Sequence, residues 1–225
     1  ERQIATLTLN RPEVLNAFNL QMQNEIRTTW RAFREMDDVH AIVLTGTGEK
    51  AFSVGIDRGD DMSALEDKEN LYGTSNNYMY DDPGDDLGPK SCDLWKPVIC
   101  AVNGMCCGGA FYFLAECDII IAAEHATFFD PHVTYGMPAV YEPIKMAQRM
   151  PLGEILRMTL LGNHERLSAD TAKQVLGWKL HYLALRCIYF PLPKLDPSEN
   201  EAGTLLPPES KRSIIKSRMR RFQKF

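Results

Sequence analysis

Glycines that directly follow apolar, strand-like segments are the first candidates for chemistry. They occur at Val54-Gly55 and within residues 104–109. Glycine lets the backbone approach a ligand closely, and the first amides of a helix that begins near Gly109 have no acceptor within that helix. Two such N–H groups converging on one oxygen would form an oxyanion hole, which stabilises a carbonyl oxygen as it gains negative charge. A tight turn explains the same glycines without chemistry, and neither Walker A nor GxGxxG spacing is present.

Two other groups of residues invite a chemical interpretation. Cys106 and Cys107 lie close to the expected start of a helix, where a thiolate is stabilised, but their apolar setting favours packing. Two Gly-Asp-Asp triplets, beginning at Gly59 and Gly84, suggest a metal pair. Turns favour Gly-Asp, so we predict no metal site.

The composition is that of an ordinary globular protein. Of the 225 residues, 44% are hydrophobic, and the formal net charge is -5, so we expect no nucleic-acid partner for the chain as a whole. Seven basic residues and one acidic residue fall in 209–225, a tail that could contact phosphates or lipid or simply be solvated. Six cysteines without a C-x-x-C pair indicate a reducing compartment. We therefore expect a cytoplasmic protein, or one of an organelle matrix if a targeting segment has been removed from a chain that begins at Glu1.

Short apolar strands alternate with helices along most of the chain. Strands are predicted over residues 4–10, 41–45, 51–54, 97–102, 118–123 and 127–129, and helices over 20–36, 110–116, 141–149, 153–161 and 168–176. This order favours an α/β fold with largely parallel strands. The acidic stretch 58–91 is interpreted as a mobile surface segment or lid. The uncharged run 97–115 is long enough to span a membrane, but its Pro and Gly residues argue against a spanning helix.

The order of several motifs resembles the crotonase superfamily, the enoyl-CoA hydratase/isomerase fold. The resemblance covers residues 1–177 and rests on IATLTLNRPEVLNAFN, AIVLTG, AFSVGID, PVICAVNGMCCGGAFYFLAECD, AAEHATFFDP and LLGNHERLSADTA. It implies an α/β spiral of β-β-α turns with peripheral helices, and a divergent, shortened C-terminal segment over 178–225. It also implies a CoA thioester substrate, with no cofactor beyond the CoA that the substrate carries, and a homotrimer or a dimer of trimers.

The resemblance assigns roles to particular residues. Val54 and Gly109 match the family's two oxyanion amides, and Gly55 and Gly108 would be the supporting turn glycines. Asp57 stands where the family commonly keeps an Asp, although it could equally cap the next turn.

Both proton-transferring glutamates of the family's hydratases are replaced, because their positions fall on Tyr112 and His132. Histidine is a suitable general acid or base near neutral pH, and Tyr112 could donate a hydrogen bond or simply line the pocket. Asp130 is a nearby carboxyl. Glu142 is a further candidate for the acyl pocket, although a solvated helix position explains it as well.

Three functions stay open at this point. The first is an enzyme that stabilises an enolate and transfers a proton through His132, which suits isomerisation or hydrolysis better than standard hydration. The second is a catalytically impaired acyl-CoA-binding or scaffold homologue. The third is contact with RNA or a membrane through the basic tail.

Overall fold

The computed structural model describes residues 3–59 and 83–175. Its strands are β1 (Ile4–Leu9), β2 (Ala41–Gly46), β3 (Ala51–Ser53), β4 (Val98–Val102), β5 (Met105–Cys107), β6 (Ile119–Ala122), β7 (Thr127–Phe129) and β8 (Leu167–Ser168). Its α-helices are α1 (Leu20–Glu35), α2 (Gly84–Leu87), α3 (Phe111–Glu116), α4 (Tyr141–Met146), α5 (Leu152–Leu161) and α6 (Ala169–Val175). Single 3₁₀ turns cover Pro12–Val14, Gly108–Ala110, His132–Tyr135 and Gly162–His164.

The strands form two four-stranded sheets. One sheet has the order β1-β2-β4-β6, and its strand pairs are all parallel. The other has the order β3-β5-β7-β8, parallel except for the antiparallel pair of β7 with β8. The chain alternates between the sheets. In each of the consecutive pairs β2–β3, β4–β5 and β6–β7, the first strand lies in the first sheet and the second strand lies in the second sheet. The predicted α/β spiral of β-β-α turns is therefore confirmed for the described part of the chain.

Helix α1 shows why these residues form this element. The Asn19 side chain accepts a hydrogen bond from the Met22 amide at 3.1 Å, which satisfies one of the free donors at the helix start. Ile26, Trp30 and Phe33 recur at helical spacing and are all buried. An Asn directly before the predicted helix and apolar residues at helical spacing are sequence signals for both features, so the prediction of this helix is confirmed.

Some predicted boundaries are corrected. The glycine-rich segment after β4 contains a further short strand, β5, which extends the second sheet in parallel with β3 and β7. Helix α4 ends at Met146 rather than at residue 149, followed by turns up to Pro151.

The structure tests the lid interpretation of the acidic stretch 58–91 only in part. Residues 60–82, including Asp60 and Asp61 of the first Gly-Asp-Asp triplet, lie outside the described residues. Residues 84–87, in contrast, form α2, where the Leu87 side chain is fully buried and its carbonyl accepts a hydrogen bond from Trp30 Nε1 at 2.9 Å. Asp86 of the second triplet pairs with Arg27 at 3.2 Å. The lid interpretation is therefore wrong for this end of the stretch.

The long uncharged run is divided among several elements. It supplies β4, β5, the Gly108–Ala110 turn and most of α3. In residues 3–59 and 83–175, none of the helices has both the length and the apolar character needed to cross a membrane. The domain boundary at 177 and the basic tail lie outside the described residues.

Two buried asparagines, Asn16 and Asn103, bind the chain segment that links β2 to β3. Asn103 accepts a hydrogen bond from the Gly46 amide at 3.0 Å and donates one to the Gly48 carbonyl at 2.5 Å. Asn16 donates to the carbonyls of Thr47 and Ala51, at 3.0 and 2.9 Å. The link from β2 to β3 is therefore held by side chains, and this sets where β3 begins.

We expect Asn103→Ala to lower the free energy of unfolding by about 1–3 kcal/mol, because it leaves the amide of buried Gly46 without its acceptor. Chemical denaturation measures this effect. Asn24→Ala on the exposed face of α1 is the control and should change stability by about 0.5 kcal/mol or less. Equal losses in the two variants would contradict the bridging role of Asn103.

Candidate active site

The first glycine bend follows β3 directly. Gly55 has φ of +86°, a conformation that favours glycine, and its amide donates to Ser53 Oγ at 3.2 Å. The Gly55 carbonyl accepts from the Phe18 amide, and the Asp57 amide donates to the Phe18 carbonyl, both at 2.8 Å. These hydrogen bonds fix the bend against the segment that precedes α1. They also fix the position of Val54, which directly precedes Gly55.

The second glycine bend follows β5 and leads into α3. Gly108 has φ of +54°, and the 3₁₀ turn Gly108–Ala110 begins there. The first amides of such a turn have no acceptor within it. Phe18, which is buried and packs edge-to-face on Phe113, lies directly against Gly109, since a Cβ there would be 2.7 Å from Phe18 Cζ.

The two bends are in contact with each other. A Cβ added to Gly55 would lie 2.7 Å from the Gly109 nitrogen and 3.2 Å from the Cys107 carbonyl oxygen. The backbone separation therefore requires glycine at this position. The fold thus brings together the two segments that carry the predicted donors, Val54 and Gly109, while the convergence of their N–H groups on one oxygen stays a prediction.

His132 lies beside the second bend, within the 3₁₀ turn that follows β7. A Cβ on Gly108 would be 3.9 Å from His132 Cε1. His132 Nδ1 is 2.5 Å from Asp130 Oδ1, and the same oxygen accepts the His132 amide at 3.0 Å. Because a carboxylate only accepts hydrogen bonds, Nδ1 carries a proton and Nε2 is the nitrogen left for chemistry.

Carboxylates hold the His132 imidazole on two sides. Glu142 Oε1, on the first turn of α4, is 3.6 Å from His132 Nε2. Asp130 is 1% exposed and Glu142 7%, so both carboxylates are buried. The hydrogen bond to Asp130, helped by the charges of Asp130 and Glu142, raises the pKa of His132 above its ordinary value despite desolvation. The alternative of a solvated Glu142 is therefore wrong.

Two of the sequence-predicted residues have structural partners. Asp57 pairs with Arg11 at 2.7 Å and accepts the Gly59 amide at 3.0 Å, so it caps the following turn, the alternative that the sequence left open. Tyr112, on α3, is 4% exposed, with Lys145 Nζ 5.6 Å from its ring centroid. The substrate role of Asp57 and the catalytic role of Tyr112 stay predictions.

The cysteines of the second bend are buried. Burial raises the pKa of the Cys107 thiol to about 12, with a further contribution from the Asp130 charge, and Cys107 Sγ donates to the Val54 carbonyl at 3.7 Å. Burial also raises the pKa of Cys106 well above its usual range. Neither thiol forms a nucleophilic thiolate near neutral pH, which confirms the packing interpretation. Among the described residues, no group of three or more His, Cys, Asp or Glu side chains could hold a metal ion.

Sequence reasoning undervalued Asp130, which it noted only as a nearby carboxyl. A signal was present, since an Asp two residues before a His can reach that ring through a tight Asp-Pro-His turn. Burial was the feature that the sequence did not reveal for Asp130 or Glu142.

Comparison with known proteins finds a matching family model and several curated relatives. The enoyl-CoA hydratase/isomerase family model matches residues 1–176. Mevalonyl-coenzyme A hydratase sidH of Aspergillus fumigatus is 39% identical over 61% of this chain and 47% of its own length. Short-chain-enoyl-CoA hydratase of Clostridium acetobutylicum is 30% identical over 78% of this chain and 64% of its own length. The chain thus spans about half to two thirds of these curated relatives.

A solved structure shows the same likeness. An enoyl-CoA hydratase/isomerase from Mycobacterium paratuberculosis superposes with a TM-score of 0.65 at 37% identity. The match covers 77% of this chain and 62% of that one.

We expect Gly55→Ala to destabilise the protein more than Gly48→Ala does. Both glycines have φ of +86°, so the two variants share about 1–2 kcal/mol of backbone strain. Only a Cβ at residue 55 meets backbone closely, since at residue 48 the nearest atom is Pro12 Cβ at 4.0 Å. The excess loss of unfolding free energy should be about 1–3 kcal/mol, measured by denaturant titration. Equal losses would show that the two bends do not constrain each other.

The His132 ring should titrate above about pH 6.5, the ordinary pKa of histidine, and Asp130→Asn should lower its pKa. A raised folded-state pKa means that this group stabilises the protein fully below about pH 6.5. That stabilisation is lost as the pH rises through the folded-state pKa. NMR titration of the His132 ring protons measures this directly, and an unchanged pKa in Asp130→Asn would contradict the assignment.

Proposed function

The chain belongs to the enoyl-CoA hydratase/isomerase family, and on that premise we propose that it binds an acyl-CoA thioester and transfers a proton at the acyl chain through His132. The Val54 and Gly109 amides would bind the thioester oxygen and stabilise the enolate that forms when the proton leaves. The observation that carries this proposal is the position of His132, beside Gly108 and with its Nδ1 held by Asp130.

A single histidine suits a shift of a double bond along the acyl chain. Neutral Nε2 removes a proton from C2 of a 3-enoyl thioester, and the electron pair delocalises onto the thioester oxygen. The resulting imidazolium returns the proton to C4, which gives the 2-enoyl thioester and restores the histidine. No water is consumed, so the family's pair of glutamates is not required for this reaction.

Asp130 supports this cycle electrostatically. The carboxylate is buried, and it favours the imidazolium that forms after proton removal. The same raised pKa makes neutral His132 a stronger base, at the expense of a smaller neutral fraction at low pH. Isomerisation, which uses neutral His132, should therefore become faster as the pH increases through the pKa of His132.

We further propose that the protein assembles as the homotrimer that the resemblance implies. Large apolar side chains on α4 and α5, such as Ile144, Leu152 and Leu160, are more than 60% exposed, which agrees with an oligomer.

We expect the protein to exchange the C2 protons of a saturated acyl-CoA with deuterium in D₂O, because exchange requires only enolate formation. His132→Ala should slow this exchange by about 100-fold or more, the usual contribution of a general base. Mass spectrometry of the recovered thioester measures the rate.

His40→Gln is the control, since His40 is exposed and lies at the opposite end of β2 from the first bend. It should exchange at the rate of the unaltered protein. Exchange that is equally fast in His132→Ala would remove His132 from the reaction. Tight acyl-CoA binding without exchange in the unaltered protein would instead favour the impaired binding homologue.

A further inference from the structure

Glu142 is brought to the reactive side of His132 by the packing of α4 on the rest of the core. Its Oε1 is 3.6 Å from His132 Nε2, whereas the Nδ1 side is occupied by Asp130 at 2.5 Å. A separation of 3.6 Å exceeds a direct hydrogen bond, so the two atoms do not neutralise each other by sharing one. One ligand oxygen about 2.8 Å from each atom would fit such a separation.

The burial of these groups argues against an incidental surface cluster. Asp130 is 1% exposed, and its Oδ2 has no hydrogen-bond partner within the described part of the chain. Glu142 is 7% exposed, although its helix also carries the largely exposed Tyr141 and Ile144. Buried carboxylates are rare because desolvating a charge costs free energy. Two buried carboxylates around one imidazole therefore indicate a functional role in addition to any effect on stability.

We propose that Glu142 is the second proton-transferring group of this site, paired with His132, and that Asp130 is the positioning residue that holds the imidazole for it. The inference rests on the proposed function and deepens it. It adds reversible addition of water to a 2-enoyl thioester as a reaction that this chain's own residues support, although neither family glutamate is present.

The steps balance with Glu142 as carboxylate and His132 as imidazolium. Glu142 takes a proton from water while the water oxygen forms a bond to C3 and the C2–C3 π electrons move onto the thioester oxygen. His132 Nε2 then gives its proton to C2, and the enolate returns to the thioester. The proton on Glu142 passes to the neutral Nε2 nearby, which restores both groups, and one water has been added.

The competing explanation is a purely structural triad in which Glu142 only stabilises a charged His132. The two explanations differ in which reaction depends on Glu142. Proton exchange at C2 requires His132 alone, whereas hydration requires a group that takes a proton from water. A structural role would weaken both reactions together.

The decisive experiment compares two rates in the unaltered protein and in Glu142→Gln. These are deuterium exchange at C2 of a saturated acyl-CoA and formation of 3-hydroxyacyl-CoA from crotonyl-CoA. We expect Glu142→Gln to slow hydration by about 100-fold or more while exchange changes by less than about fivefold. Glu142→Asp should recover part of the hydration rate. Thermal unfolding of each variant confirms that it folds.

Glu124→Gln, at an exposed turn position, is the control and should leave both rates unchanged. Equal loss of both rates in Glu142→Gln, or unchanged hydration, would overturn the proposal. So would a misfolded Glu142→Gln together with a folded Glu142→Asp that loses both rates equally. Exchange without hydration in the unaltered protein would remove this inference alone, whereas the absence of both reactions would remove the proposed function with it.

Discussion

The close backbone contact between Gly55 and Gly109 is the constraint on which the candidate site depends. A side chain at Gly55 would collide with the Gly109 nitrogen, so the two bends approach as closely as glycine permits. Each bend ends a short strand of the same sheet, β3 and β5, and parallel pairing places those strand ends at one edge. Phe18 closes the arrangement from the side of α1, since it bonds the first bend through its backbone and packs on the second through its ring.

The charged groups around His132 lie beside these two bends. Buried Asp130 favours the protonated imidazole, and Glu142 faces the other nitrogen. Both depend on the fold for their positions, since Asp130 directly follows β7 and Glu142 lies in the first turn of α4. The proposed site would therefore combine neutral backbone donors for an oxygen with a charged pair for protons.

Much of the fold could be predicted because its signals are local. The cap at Asn19, the buried face of α1 and the alternation of apolar strands with helices all follow from short-range spacing. The strand β5 could not be predicted, since its three residues lie among turn-forming glycines and their extended structure comes from pairing with β3 and β7. Helix α2 was missed for a similar reason, because its acidic residues indicate a loop while Leu87 is held by tertiary contacts.

The candidate site divides in the same way. The glycine bends and His132 were recognisable as motifs, and the bond from His132 to Asp130 is local, whereas the burial of Glu142 beside the imidazole depends on how distant segments pack. Residue type alone makes Glu142 a surface helix residue, and only the docking of α4 places it beside the imidazole. The electrostatic environment of a side chain is a property of the folded chain. A sequence motif therefore predicts the proton-transfer roles of residues less well than it predicts the fold.

The carbonyl stretching frequency of a bound, ¹³C-labelled acyl-CoA reports whether the Val54 and Gly109 amides act on its oxygen, because two converging N–H groups polarise the thioester C=O bond. Isotope-edited infrared difference spectroscopy should show the bound carbonyl at a lower frequency than the same thioester free in water. A bound carbonyl at an unchanged or higher frequency would show that the Val54 and Gly109 amides do not act on that oxygen, and would contradict the account.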